Sequence, residues 1–403
     1  MRAQDEAVLA ERRERIEARL DPSWQVEMAE PMLAGTNLRY EMAARVQAIP
    51  CGGIGLMHEL VRTLKLAESI DEHVHVFKKH FPYHESDHVL NLAYNVLAGG
   101  TRLEDLERLR TNEGYLDTLG CRRIPDPTTA GDFLRRFGAA DVLDLMTGIN
   151  DTRVRKKLPR RERKLALIDA DGTLAPTTGE CKAGMDISYK GTWGYAPLIV
   201  SLANTQEVLF TSNRPGNEPS HSGAVDYLDA AIALVREGGF KQVRLRGDTD
   251  FSLTRHFDRW DADGVEFVFG IDANPAFVAR AKALPDAGWK RLQRPVAGPS
   301  GARRRPLNIK EQIVAARGYI NLVLEEEHVA ELDYTPTHGR ETYRMIVLRK
   351  TIRGEQHQEY LFTDVRYFFY VTNVGKKQLA PARVVFEANA CCHQENLIEQ
   401  LKN

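Results

Sequence analysis

At 403 residues the chain is longer than one hydrophobic core usually fills, so two or three domains are expected. Lys and Arg number 55 against 56 Asp and Glu, a net charge of −1 that excludes a uniformly basic nucleic-acid coat and confines any such contact to local patches. The five cysteines are odd in number and show no C-x-x-C spacing, which argues against a zinc ribbon or a disulfide framework, and no run approaches the ~20 apolar residues of a membrane span. Met1 to Leu20 is a charged helical pattern without a signal core, so a cytoplasmic protein with no membrane association is expected.

Residues 1–150 read as helical. Ile54, Leu56, Met57, Leu60, Val61 and Leu64 form one apolar stripe, and Val89, Leu90, Leu92, Ala93, Val96 and Leu97 another. Between them His84-Glu-Ser-Asp-His88 matches the H-E-x-x-H zinc pattern, but a helix capped at Ser86 would leave His84 outside it, so capping is expected instead. The last unit, Ile124-Pro-Asp-Pro127-Thr-Thr-Ala-Gly-Asp-Phe-Leu-Arg-Arg136, predicts a helix with Thr128 as cap and Phe133 and Leu134 as anchors. Its Arg135 and Arg136 are candidate DNA contacts of a helix-turn-helix kind. Further basic candidates are Arg160 and Arg161 in the run before residue 165, and Arg303, Arg304 and Arg305 in a Gly/Pro-rich stretch.

From about residue 160 the period changes. Strands are predicted at 164–168, 196–203 and 207–212, a helix at 224–236, a strand at 242–247, a helix at 253–260 and a strand at 265–270. Three strands, a helix and a strand is the ribonuclease-H-like order. Residues 274–384 carry strand-like pieces at 319–324, 343–348 and 367–372 and predict a β-rich insertion domain, leaving 385–403 as a final helix. The expected fold is therefore α/β: an all-helical N-terminal domain, a ribonuclease-H-like core begun at 160–273, an insertion, and a closing helix. Trp193 and Tyr195 read as aromatic packing under a core strand or as DNA neighbours. No G-x-x-x-x-G-K-[ST] loop is present, so no nucleotide cofactor is inferred.

Two strands end in acid, Leu165-Ala-Leu-Ile-Asp169-Ala-Asp171-Gly-Thr173 and Val243-Arg-Leu-Arg-Gly-Asp248-Thr-Asp250, and a late helical stretch carries Glu395. Side chains two apart on a strand share a face, so each strand offers a carboxylate and a spare. Two hard cations, Mg²⁺ or Mn²⁺, suit such oxygen donors, and in-line attack on a phosphodiester uses such a pair. Metal-assisted phosphoryl transfer on nucleic acid is the expectation.

These stretches, with Val265-Glu-Phe-Val-Phe-Gly270, Arg366-Tyr-Phe-Phe-Tyr-Val-Thr-Asn373 and His393-Gln-Glu395-Asn-Leu-Ile-Glu-Gln-Leu-Lys402, resemble the DDE transposases of bacterial insertion sequences, most nearly the thirteen-eighty family. The resemblance runs from about Gly52 to the last residue. It implies Asp171, Asp248 and Glu395 as catalytic metal ligands, 77 residues apart (171 to 248) and then 147 (248 to 395), with Lys402 on the same helical face near a DNA phosphate. It further implies cut-and-paste movement: cleavage at terminal inverted repeats of double-stranded DNA, strand transfer into target DNA, and a homodimer on paired ends. Cys391 stands where this class commonly has Arg, Asp250 where Gly is usual, and the chain stops one residue past Lys402 where relatives continue. A truncated, non-catalytic end-binding remnant is therefore one alternative. Another is a haloacid-dehalogenase-type phosphatase, whose D-x-D-G-T motif matches Asp169 to Thr173 and would make Asp169 the nucleophile.

Overall fold

The computed structural model describes residues 3–19, 31–35, 51–80, 82–155, 163–179, 182–294, 321–356, 359–391 and 393–402. The chain divides into two compact units, Met1–Leu158 and Pro159–Asn403.

The first unit is helical: α1 (Ala3–Arg19), α2 (Ile54–Leu64), α3 (Leu66–His73), α4 (Glu85–Leu97), α5 (Leu106–Arg110), α6 (Glu113–Leu119), α7 (Pro127–Leu134) and α8 (Ala139–Asn150). Its core gathers Leu33, Ile54, Val61, Leu90, Tyr94, Leu106, Leu116 and Leu119. The two apolar stripes are only half buried: Leu56, Met57, Leu60, Val96 and Leu97 are exposed. The reason lies in α4, which buries polar side chains. Asp87 accepts from the N–H groups of Met32 (2.8 Å), Leu33 (2.6 Å) and His84 (2.9 Å), Ser86 donates to Asp71, and Asn91 and Asn95 donate to the carbonyls of Pro125 and Arg102. Satisfying those otherwise orphaned loop groups outweighs burial of one more leucine.

Because Asp87 reaches back to the His84 N–H, α4 starts at Glu85 with His84 as N-cap, two residues before the cap expected at Ser86. Glu85 accepts from Phe77 N–H and His80 (both 3.0 Å), and His88 stacks on Phe133 at 4.4 Å. The H-E-x-x-H residues are thus spent on packing and loop anchoring. Helix α7 is capped by Asp126, which accepts from the N–H groups of both Thr128 and Thr129, in place of the expected Thr128; Pro127 fills the first turn.

The second unit holds a nine-stranded sheet in the order β6-β5-β1-β7-β8-β12-β11-β10-β9. Its strands are β1 (Leu165–Gly172), β5 (Leu198–Leu202), β6 (Glu207–Ser212), β7 (Gln242–Gly247), β8 (Val265–Ile271), β9 (Lys290–Arg291), β10 (Asn321–Tyr334), β11 (Tyr343–Gln356) and β12 (Glu359–Thr372). β1, β5 and β6 are antiparallel neighbours, α9 (Ala224–Glu237) crosses over, and β7 and β8 follow parallel to β1. α9 packs on β1, β5 and β7 through Leu228, Ala231, Ile232 and Val235, as its 3.6-residue pattern requires. α10 (Phe257–Ala262) and α11 (Pro275–Lys282) flank β8 in sequence.

The β-rich stretch expected as an insertion of its own extends this same sheet: β12 pairs antiparallel with β8, Phe369 opposite Ile271 and Thr372 opposite Val268. Its three long strands run 14 residues each, more than twice the length of the apolar pieces visible in the sequence. Their outer halves mix charges with exposed apolar residues such as Leu322, Leu324, Tyr360 and Phe362; the cross-strand pair Arg353–Glu325 (3.3 Å) lies there, while Arg344–Glu331 (2.8 Å) braces the inner end beside β8. α12 (Pro381–Ala390) buries Val384, Val385 and Ala388 against Val268, Ile346 and Leu348, and α13 (His393–Lys402) follows in sequence. A small sheet of β2 (Ala175–Pro176), β4 (Trp193–Tyr195) and β3 (Asp186–Ile187) leaves Trp193 54% exposed, so packing under a core strand does not account for it. Among the described residues no helix is long and apolar enough to cross a membrane.

Candidate active site

Strand β1 buries Ala166, Ile168 and Ala170 on one face and turns Asp169 and Asp171 to the other. In β7, Val243 and Leu245 alternate in the same way with Arg244 and Arg246, and Asp248 comes next on that face. The parallel register holds a constant offset, Leu165 opposite Gln242 through Asp169 opposite Arg246. Continued by two residues, it sets Asp171 level with Asp248 at the carboxyl ends of neighbouring strands. Gly247, just before, lies so close to the following turn that a Cβ would stand 2.8 Å from that of Phe251. This tight passage lets the chain turn at once, and Asp248 caps the turn by accepting from the Asp250 N–H at 3.0 Å.

Asp171 is half-buried and accepts from the Gly172 N–H at 2.7 Å. Burial raises its pKa to about 6, and the negative fields of Asp248, Glu395 and Asp250 add to the rise against the lowering effect of that hydrogen bond. Asp248 is open to solvent on its outer side, yet surrounding protein removes enough hydration to raise its pKa, with Asp250 and Asp272 contributing. Asp171 therefore lies within the field of both other residues singled out in the sequence, and no basic group is among the principal influences on either aspartate.

Glu395 lies exposed in the first turn of α13, and Lys402 is exposed in its last. The residue before Glu395 anchors the helix: Gln394 is buried, and its Nε2 donates to the carbonyls of Ile199 (3.0 Å) and Asp169 (3.4 Å). Asp272, immediately beyond β8, is an acidic neighbour that sequence reasoning missed. The signal was there, since Val265–Ile271 is a third apolar strand ending in acid.

Asp169 takes no such position. Both its carboxylate oxygens accept from Arg246, Oδ1 from Nε and Oδ2 from Nη2, each at 2.7 Å, and the pair is almost wholly buried. A nucleophile must be open to substrate, so the phosphatase reading built on Asp169 does not fit this geometry.

Among the described residues no three carboxylates, imidazoles or thiolates stand close enough together to hold an ion. The chemistry of the donor set nonetheless fits a hard divalent cation: Asp171 and Asp248 are oxygen donors on adjacent strand ends, with no lysine or arginine among their principal influences from the described residues and with Glu395 acting on Asp171. Of the basic candidates, Arg135 pairs with Asp132 at 2.5 Å and Arg136 lies over the Phe77 ring at 5.1 Å, both in the helical unit. Arg160, Arg161, Arg303, Arg304 and Arg305 fall outside the described residues.

The fold is thus a mixed sheet with acidic strand ends and a glutamate on the following helix. The sequence from residue 48 to 403 matches the family model of the transposase DDE domain, group 1, and the chain belongs to that family. Its members are DNA-cleaving and strand-transferring enzymes that typically use divalent metals. Among solved structures, a piggyBac transposase synaptic complex with hairpin DNA is similar at 9% identity and a TM-score of 0.38, over 87% of this chain and 67% of that one. No curated protein matches the sequence.

Proposed function

We propose that the protein is a metal-dependent DNA transposase that cleaves the ends of its own element and joins them to target DNA, with Asp171, Asp248 and Glu395 as the catalytic carboxylates. The observation that carries this reading is the placement of Asp171 and Asp248 at the carboxyl ends of adjacent parallel strands, with Asp171 in the field of both Asp248 and Glu395. The strand order β6-β5-β1-β7-β8, three antiparallel and two parallel, supports a ribonuclease-H-like core, in which β10–β12 serve as the inserted segment.

In this mechanism Asp171 and Asp248 supply hard oxygen ligands from the carboxyl ends of two central strands, and Glu395 supplies a third from the first turn of α13. Two Mg²⁺ or Mn²⁺ ions, when bound, activate the attacking oxygen and stabilise the leaving one. Asp250 and Asp272 keep the surrounding field negative, which favours cations at the strand ends. Lys402, two turns after Glu395, suits a backbone phosphate, and Arg135, Arg136, Arg160, Arg161 and Arg303 to Arg305 suit contacts along the terminal repeats. The active assembly is a homodimer on paired ends, from a bacterial insertion sequence of the thirteen-eighty family.

The test is a nicking assay on DNA carrying the sequences that flank the gene, with Mg²⁺. Wild type should cut at the repeat ends, and Asp171→Asn, Asp248→Asn or Glu395→Gln should each stop cutting while end binding persists. End-specific binding with no product from wild type would make the protein a non-catalytic end binder instead.

A further inference from the structure

The three proposed carboxylates come from two strands and a separate helix, so something must set their relative positions before any ion arrives. We propose that the buried Asp169–Arg246 pair and Gln394 form a positioning frame that fixes where Asp171, Asp248 and Glu395 stand; the inference rests on the carboxylate assignment above.

Each carboxylate has a frame residue beside it. Asp169 precedes Asp171 by two residues and Arg246 precedes Asp248 by two, so the ion pair lies on the same face of the sheet, one pleat back from the site. The two are cross-strand partners, and their two-pronged bond at 2.7 Å and 2.7 Å holds β1 and β7 in the register that sets the carboxylates level. Gln394 directly precedes Glu395. Its amide spans β1 and β5, and its stronger partner, the Ile199 carbonyl, belongs to the residue opposite Asp171. The helix carrying Glu395 is thereby tied to the strand carrying Asp171.

The corner between α12 and α13 is held from the same strand. Arg244 bonds Glu387 of α12, and Arg246 lies within the field of both Glu387 and Cys391. β7 thus braces the helix that leads into the third carboxylate's helix as well as supplying the second carboxylate.

Stability does not explain this arrangement. Burying both charges of an ion pair costs hydration on each, and apolar residues of matching size are commonly as stable or more so. What an apolar pair lacks is direction. Two parallel hydrogen bonds between planar groups admit one geometry, whereas Leu against Met admits several. Gln394 makes the same point, since its Oε1 is buried without a partner among the described residues, a cost that packing alone would not impose.

The experiment titrates Mn²⁺ into the full-length protein without DNA and reads bound ion by electron paramagnetic resonance, alongside thermal unfolding. Asp171→Asn and Asp248→Asn should abolish tight binding. The double variant Asp169→Leu/Arg246→Met should melt at the wild-type temperature or above, yet bind Mn²⁺ about 10- to 100-fold more weakly, the loss typical when groups behind metal ligands are removed. Gln394→Met, similar in size but without donors, should weaken binding over the same range. If the double variant does not fold, Gln394→Met decides alone. Frame variants within about threefold of wild type, with the two Asn variants still defective, overturn the frame and leave the carboxylate assignment standing. Asn variants that bind like wild type overturn the assignment, and the frame with it.

Discussion

Asp171→Asn should stabilise the metal-free protein at neutral pH. The folded chain holds this carboxyl at about 6 against an ordinary value of 3.8, chiefly because it is half-buried and secondarily because Asp248, Glu395 and Asp250 face it. A shift of roughly two pKa units corresponds to about 3 kcal/mol, and the group's remaining contact with water reduces the expected effect to about 1–2 kcal/mol. The sign follows from proton binding. Between about pH 4 and 6 the folded chain holds a proton that the unfolded chain has released, so this contribution is full below about pH 4 and is lost as pH rises through 6. Urea unfolding in chelator at about pH 7.5 should therefore show the Asn variant more stable than wild type, with the gap closing towards pH 4. Millimolar Mg²⁺ should then raise wild-type stability and leave the variant nearly unchanged, because the ion binds the ionised carboxylates of the folded state. An Asn variant no more stable than wild type in chelator, with Mg²⁺ acting equally on both, would refute the picture of an ionised carboxylate held at a cost.

His88 should make the helical unit acid-sensitive: burial against Phe133, with help from Arg136, lowers its pKa to about 4, so stability present above about pH 6.5 is lost as pH falls towards 4. His88→Phe should flatten that part of the pH–stability curve by up to about 3 kcal/mol, measured as the difference from wild type by denaturant unfolding. Gly247→Ala should destabilise by about 1–3 kcal/mol, because the added methyl would meet the Phe251 Cβ at 2.8 Å, and should impair Mg²⁺-dependent nicking by displacing the turn after Asp248; calorimetry and the nicking assay check the two parts. Arg136→Ala should weaken binding to element-end DNA and lower the slope of log affinity against log salt by about one, and an unchanged slope would remove Arg136 from the interface.

Periodicity alone set much of the first half of the sheet. The segments from Gln242 to Gly247 and Glu207 to Ser212 emerge with the expected bounds, because each is a short apolar run between unambiguous turns. The long strands β10 to β12 were half hidden. Outer residues such as Glu325 and Arg353 look like loop in isolation and become strand only when they meet across the ladder. The helical stripes erred in the other direction: α4 turns Asp87 and Asn91 inward because loops far away in sequence need their hydrogen bonds, and His88 inward to stack on Phe133.

At the site, the amino-acid sequence by itself determined which acids end strands, since alternation puts Asp169 and Asp171 on one face and Arg246 and Asp248 on another of the same kind. Alternation left Asp169 and Asp171 as equals, and the resemblance favoured Asp171. The tertiary structure gives them different surroundings, bringing Arg246 across from β7 to neutralise and bury Asp169 while leaving Asp171 to face Asp248 and Glu395. That choice depends on strand register and on where a helix more than 200 residues downstream docks, as seen in the bond from Gln394 to Asp169. Local pattern carries the direction of a side chain, but its neighbours, and so its charge state and chemistry, come from contacts that no local window contains.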